Sequence, residues 1–260
     1  MTDPARPSSS LPSSQRAALE AMHTPEAVAQ RLESHPEQSR LRDLVYGSID
    51  GCVTTFAVVS GVVGAGLEAR IVLIMGFANL LADGFSMAVS SYLGTRATRQ
   101  ELQLARETEE NHVDQIPHGE VEEIREIFRK KGFDGDLLEQ VVSVVVSDRE
   151  LWVRTMLTEE WGLPLSLPSA WKSALATFVA FQAAGLVPLL PFLWPMTVEQ
   201  QSGRFVLSSL LTGGVFFSVG AARSRFTIGS WWKAGLETLL MGGAAASLAW
   251  LVGVLLRDLG

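Results

Sequence analysis

Several side chains in this sequence have the types and spacings that divalent-metal chemistry needs. Glu109 and His112 are three residues apart, Glu120 and Glu123 are three apart, and Met156 and Glu160 are four apart. Residues at these spacings share one face of a helix, so each pair can offer two ligand atoms to one ion. Carboxylates with an imidazole suit Fe(II), Mn(II) and Zn(II), and a thioether biases a site toward the softer members of that set. Carboxylates gathered without a cation repel one another, and a bound metal relieves the repulsion. The bland alternative is a solvated acidic face. The Glu109-x-x-His112 spacing is also that of di-iron carboxylate proteins, but no second such motif follows. A different group lies upstream. Asn79, Asp83 and Met87 are each four apart and trace one helix face bearing an amide oxygen, a carboxylate and a thioether. Asp50 stands in an apolar stretch, with Thr54, Thr55 and Ser86 able to add hydroxyl oxygens. The bland alternative for these is polar glue between helices.

The elements that must hold these groups are set by a segregation of charge along the chain. Residues 173–194 and 205–222 contain no Asp, Glu, Lys or Arg; 44–66, 71–93 and 234–256 hold one each, Asp50, Asp83 and Glu237. A bilayer core about 30 Å thick needs roughly 20 residues of helix. Soluble helices keep a polar face, which these stretches lack. Five membrane spans are therefore predicted. An ionisable residue inside a span is by default a functional hypothesis, which singles out Asp50 and Asp83. Glu237 either neutralises an arginine or lines a cavity. Gly47 and Gly51 form a GxxxG spacing of the kind that lets helix backbones approach in lipid. Pro188 and Pro191 should kink or end the third span near Trp194.

Between the second and third spans, residues 95–168 hold 16 of the 28 acidic residues. Residues 95–113 read as helix continuing directly from span two. A second helix is predicted over 119–131, started near Pro117 and stopped by Gly132, and one or two more over 136–161, ended by Gly162 and Pro164. The predicted fold class is all-α: a five-transmembrane-helix membrane protein with a helical cytoplasmic metal-binding domain inserted between spans two and three. Its divisions are an N-terminal tail over 1–40, spans one and two over 41–94, the acidic domain over 95–168 and spans three to five over 169–260. Residues 1–14, rich in Ser and Pro, are expected to be disordered. Residues 15–33 read as an amphipathic helix, and no secretory leader is apparent. Arg31, Arg40 and Arg42 before span one, and Arg223, Arg225 and Lys233 between spans four and five, put the N-terminus and the acidic domain in the cytoplasm.

Composition excludes other classes. A net charge of −7 argues against a nucleic-acid partner. The single cysteine, Cys52, rules out an internal disulfide framework or a thiolate zinc cluster within one chain. No P-loop, nucleophile elbow or glycine-rich dinucleotide fingerprint is present. A secondary carrier with no organic cofactor is expected, not an ATP-driven pump and not an enzyme. A membrane-anchored metal-storage or metal-sensing protein is the alternative; an anchor, however, has no need of Asp50.

The motifs RDLVYGSIDGCVTTFAVVSGVVGA, ADGFSMAVSSYLGTRA, WVRTMLTEEWGL and ARSRFTIGSWWKAGLETLLMGGAAA together resemble the vacuolar iron transporter family. The family includes the yeast vacuolar iron and manganese carrier and the plant nodulin-like carriers, and the likeness covers roughly residues 41–256. The resemblance implies five membrane helices, a homodimer with its pore between protomers, and a cytoplasmic metal-binding domain extending from span two. It also implies transport of Fe(II), often with Mn(II), out of the cytoplasm against a counter-flow of protons. The membrane would be the plasma membrane of a bacterium or a vacuole-like membrane of a eukaryote. The family's pore acid matches Asp50 and its pore methionine Met87, with Asp83 and Asn79 as an adjacent ligand or relay. The insert ligands match Glu109, Glu120, Glu123, Met156 and Glu160. Two positions depart from the family pattern. His112 replaces a glutamate, which removes a negative charge and puts an imidazole in its place. Leu157 stands where a further acidic ligand can occur. The insert is thus expected to hold fewer ions or to bind them more weakly.

Overall fold

The computed structural model describes residues 13–33, 41–193, 201–225 and 229–257, and among these every regular element is helical. The chain divides into two units, residues 1–38 and 39–260. In the first, the expected helix over 15–33 is two helices, α1 (Ser13–Ala21) and α2 (Pro25–Glu33). The break has a local cause. Thr24 Oγ1 accepts the Ala27 N–H at 3.3 Å, and Pro25, which has no N–H to donate, opens the second helix. The tail expected to be disordered lies, up to residue 12, outside the described residues.

The second unit holds α3 (Leu41–Gly64), α4 (Ala69–Gln115), α5 (Pro117–Lys130), α6 (Gly135–Ser147), α7 (Arg149–Glu159), α8 (Ala170–Leu186), α9 (Gln201–Arg223) and α10 (Trp231–Leu256). Five of the described helical segments are long and apolar enough to cross a membrane: α3, α4, α8 with its extension, α9 and α10. Large apolar side chains such as Ile74, Leu81, Phe85, Leu210, Leu240 and Leu248 stand exposed on them, as lipid-facing residues do. Pro188 and Pro191 fall in a 3-10 turn, Val187–Phe192, that extends α8, because proline cannot complete the α-helical ladder.

α3 is the central span and packs on α4, α8, α9 and α10. The GxxxG pair faces α8. A Cβ on Gly47 would sit 2.6 Å from the Thr177 carbonyl oxygen, and one on Gly51 only 2.4 Å from that of Phe181. Only glycine permits that backbone approach. Around this seam Cys52, Val59, Phe181, Leu189 and Phe216 form the membrane core. Glu237 takes the first of its two anticipated roles, pairing with Arg223 between α9 and α10.

α4 runs without interruption for 47 residues. At 1.5 Å per residue that is about 70 Å, more than twice the roughly 30 Å of a bilayer core. Its second half carries the acidic insert, whose three further helices close a separate apolar core of Ile124, Leu138, Trp152, Val153, Met156 and Leu157. α5 opens on Pro117, and the chain turns after it at Gly132, φ +94°. The Asp148 side chain caps α7 by accepting the N–H groups of Glu150 and Leu151, which splits the 136–161 stretch into two helices. Arg149 binds Asp114 and the Glu110 carbonyl, and Arg106 binds Glu110 and Glu150, so α7 is stapled to α4.

Candidate metal centre

The end of α4 and the start of α5 meet at a sharp corner. Ile116 ends one helix and caps the next, so the last turn of α4 lies against the first turn of α5. That corner brings Glu109, His112 and Glu120 together: one ligand atom from each lies within 4.8 Å of the others. Glu120 is fully buried and Glu109 is 2 % exposed. His112 lies at the surface with Nδ1 3.3 Å from Glu120 Oε1. Neither oxygen of Glu120, nor Oε2 of Glu109, receives a hydrogen bond from an N–H or hydroxyl group. Burying a carboxylate costs several kcal/mol unless a cation or donors compensate, so the chemistry of this cluster suits a cation.

The electrostatics agree with the geometry. Burial, and after it the charges of Glu109, Glu123 and Glu160, push the Glu120 carboxyl up to about 8. Glu160 is also raised, by partial desolvation and then by Glu123 and Glu109, with His112 pulling the other way. Glu123 and Glu160 are exposed at the rim, near enough for their charges to act on the buried pair. A groove lined by both, with Glu126, Lys130, Lys131 and Glu159, opens beside them. Met156 is fully buried among the apolar side chains of the insert, and Glu160 follows the last helical residue of α7, so the two are not equivalent positions on one regular face. Two acids elsewhere in the insert are paired instead: Arg149 holds Asp114, and Arg125 holds Glu139, below the usual carboxylate range.

Inside the membrane span the second group forms a ladder between α3 and α4. Asn79 Nδ2 donates to Thr54 Oγ1 at 3.3 Å, and Thr54 Oγ1 donates to the Asp50 carbonyl oxygen at 2.9 Å. Asp50 and Asp83 are both exposed on the isolated chain. Met87 is half-buried against the membrane core. Thr55 is fully buried with no partner for its hydroxyl, and Ser86 is exposed, so only Thr54 of the three anticipated hydroxyls joins the ladder. The two groups are not one site. Asp83 and Glu109 are 26 residues apart on one helix, which separates them by about 39 Å.

One contact has no sequence signal. Trp161 Nε1 donates to Glu109 Oε1 at 2.8 Å across 52 positions of sequence. No spacing rule links the two, because the bond depends on how α7 docks against α4.

A bundle of five bilayer-length helices with an acidic helical insert defines a polytopic, all-α membrane protein. The model of one family, the VIT family, matches residues 41–254, and the chain belongs to that family. Its similar relatives include a vacuolar iron transporter of Toxoplasma gondii, 30% identical over 241 residues that cover 89% of this chain and 80% of the relative. Another, of Plasmodium berghei, is 29% identical and covers 87% of each chain. Vacuolar iron transporter 1 of Arabidopsis thaliana is 28% identical over 80% of this chain and 83% of its own.

Proposed function

We propose that this protein is a secondary carrier of Fe(II), with Mn(II) as a second cargo, moving the ion out of the cytoplasm in exchange for protons. The observation that carries this reading is the pair of buried glutamates, Glu109 and Glu120, beside His112: both oxygens of Glu120 and Oε2 of Glu109 lack hydrogen-bond donors. Such a cluster is stable when a divalent cation fills it. The names of the relatives supply the cargo, iron. The ligand sets of iron and manganese overlap in carboxylate and imidazole, so the ligand chemistry supports both.

In the proposed mechanism the insert faces the cytoplasm. Its acids concentrate divalent cations by their negative field, and Glu109, His112, Glu120, Glu123 and Glu160, with Met156, hold the captured ion. The ion then passes to the membrane, where Asp50 and Met87 receive it, with Asp83 and Asn79 beside them. Asp50 gives up the metal and takes a proton. Two exposed carboxylates on membrane helices are expensive against hydrocarbon. A second copy of the chain, covering the face that bears Asp50 and Asp83, removes that expense and places the pore between two protomers. The internal, vacuole-like membrane of the named relatives is the proposed location.

The test is flux. Protein reconstituted in liposomes, with an acidic lumen and neutral exterior, should take up Fe(II) and Mn(II) and release protons as it does. A storage or sensing protein would bind these ions and move none.

A further inference from the structure

Trp161 stands outside every ligand set considered above, yet its indole N–H donates a hydrogen bond to buried Glu109. Its position is fixed by the chain reversal after α7. The Trp161 N–H returns to the Met156 carbonyl at 3.3 Å, and Gly162 at φ +65° turns the backbone. The Leu163 N–H then closes on the Leu157 carbonyl at 2.9 Å. The indole is thus tied to the segment that bears Met156 and Glu160 and reaches across to Glu109 on α4.

The ring is 45 % exposed, so it is not a core anchor. Its inward contribution is the N–H. A carboxylate held through one oxygen loses its freedom to rotate, and its other oxygen is aimed. Here Oε1 is held and Oε2 is buried with no donor. Donors in the outer shell of metal ligands orient them in this way, and their loss costs 10–100-fold in affinity.

We propose that Trp161 is a positioning residue for the cation site: its indole N–H holds Glu109 Oε1 and so leaves Oε2 as the ligating oxygen. This rests on the reading of Glu109, His112 and Glu120 as a cation site. The experiment uses the full chain purified in detergent, with Trp161→Phe, Glu109→Ala and the parent compared. Mn(II) affinity is read by calorimetry, the visible spectrum is read at saturating Co(II), and thermal melting is followed without metal. Trp161→Phe should weaken Mn(II) binding by about tenfold and shift the Co(II) bands, because the freed carboxylate changes the ligand geometry, while the metal-free protein still melts cooperatively, at a modestly lower temperature because Glu109 Oε1 loses its donor. Unchanged affinity or an unchanged Co(II) spectrum overturns the proposal. In those cases loss of Mn(II) binding by Glu109→Ala shows that the site itself stands. If Glu109→Ala binds Mn(II) like the parent, the site reading fails, and the role of Trp161 fails with it.

Discussion

Glu120 is where burial and like charge act together, and its chemistry sets the sign of two effects. Its folded carboxyl is raised to about 8, first by burial and then by Glu109, Glu123 and Glu160. A raised carboxyl binds more protons folded than unfolded, so it contributes stability fully present below the ordinary glutamate value and lost as pH rises through about 8. Without metal, the protection of α5 amides against hydrogen exchange, corrected for intrinsic rates, should fall between pH 5 and pH 8. Saturating Mn(II) should abolish that fall, since the cation replaces the proton. Glu120→Gln should behave oppositely, with metal-free α5 better protected at pH 8 and Mn(II) adding little. Equal protection at both pH values in the parent would contradict this account. The sequence made Glu109, His112 and Glu120 legible because local spacing places them near one helix corner. It did not show which acids are buried, since Glu120 and Glu123 look alike in sequence and share a face, and Glu120 is the one buried because it lies in the first turn of α5, at the corner with α4. Trp161 was illegible for a deeper reason: its bond to Glu109 is a product of tertiary docking.

At the scale of elements, the five spans and the passage of span two into the insert were readable from charge segregation alone. The partner of the Gly47/Gly51 spacing was not, because small-residue spacings mark a close approach without naming the helix that approaches. That helix is α8, and a Cβ at Gly51 would lie 2.4 Å from the Phe181 carbonyl oxygen. Gly51→Val should therefore cost more than the roughly 1–3 kcal/mol of ordinary overpacking, visible as a lower melting temperature and loss of monodisperse protein in detergent. The continuous α4 carries a second prediction. Ala97 is exposed on the stretch of α4 between Met87 and Glu109. A proline in a helix interior costs about 3 kcal/mol or more and bends the axis. Ala97→Pro should leave Mn(II) affinity within about twofold of the parent, because the corner at Ile116 is intact, and should reduce flux strongly, because the insert is no longer rigidly set on the pore. Equal losses of binding and flux would show that the insert depends on the membrane helix for its fold.

For the molecule as a whole, the face bearing Tyr46, Asp50 and Asp83 is exposed, and the proposed dimer covers it. Tyr46 lies one turn from Asp50 on that face, so Tyr46→Arg should weaken the pairing, read as a loss of the dimer mass by light scattering in detergent; a parent that already has the mass of one chain would leave the two carboxylates facing lipid. The bilayer architecture follows from composition, but the pairing of two copies does not, because a face made for a partner and a face made for lipid differ here by two acids in a mostly apolar surface. Everything in the transport reading converges on Asp50. The most direct measurement is the initial rate of Fe(II) uptake into acid-filled proteoliposomes by the parent and by Asp50→Asn, which keeps the size of the side chain and removes its charge. The account predicts rapid, proton-coupled uptake by the parent and uptake by Asp50→Asn no faster than by protein-free liposomes, with Mn(II) still bound by the insert. Uptake by Asp50→Asn at the parent's rate would contradict it.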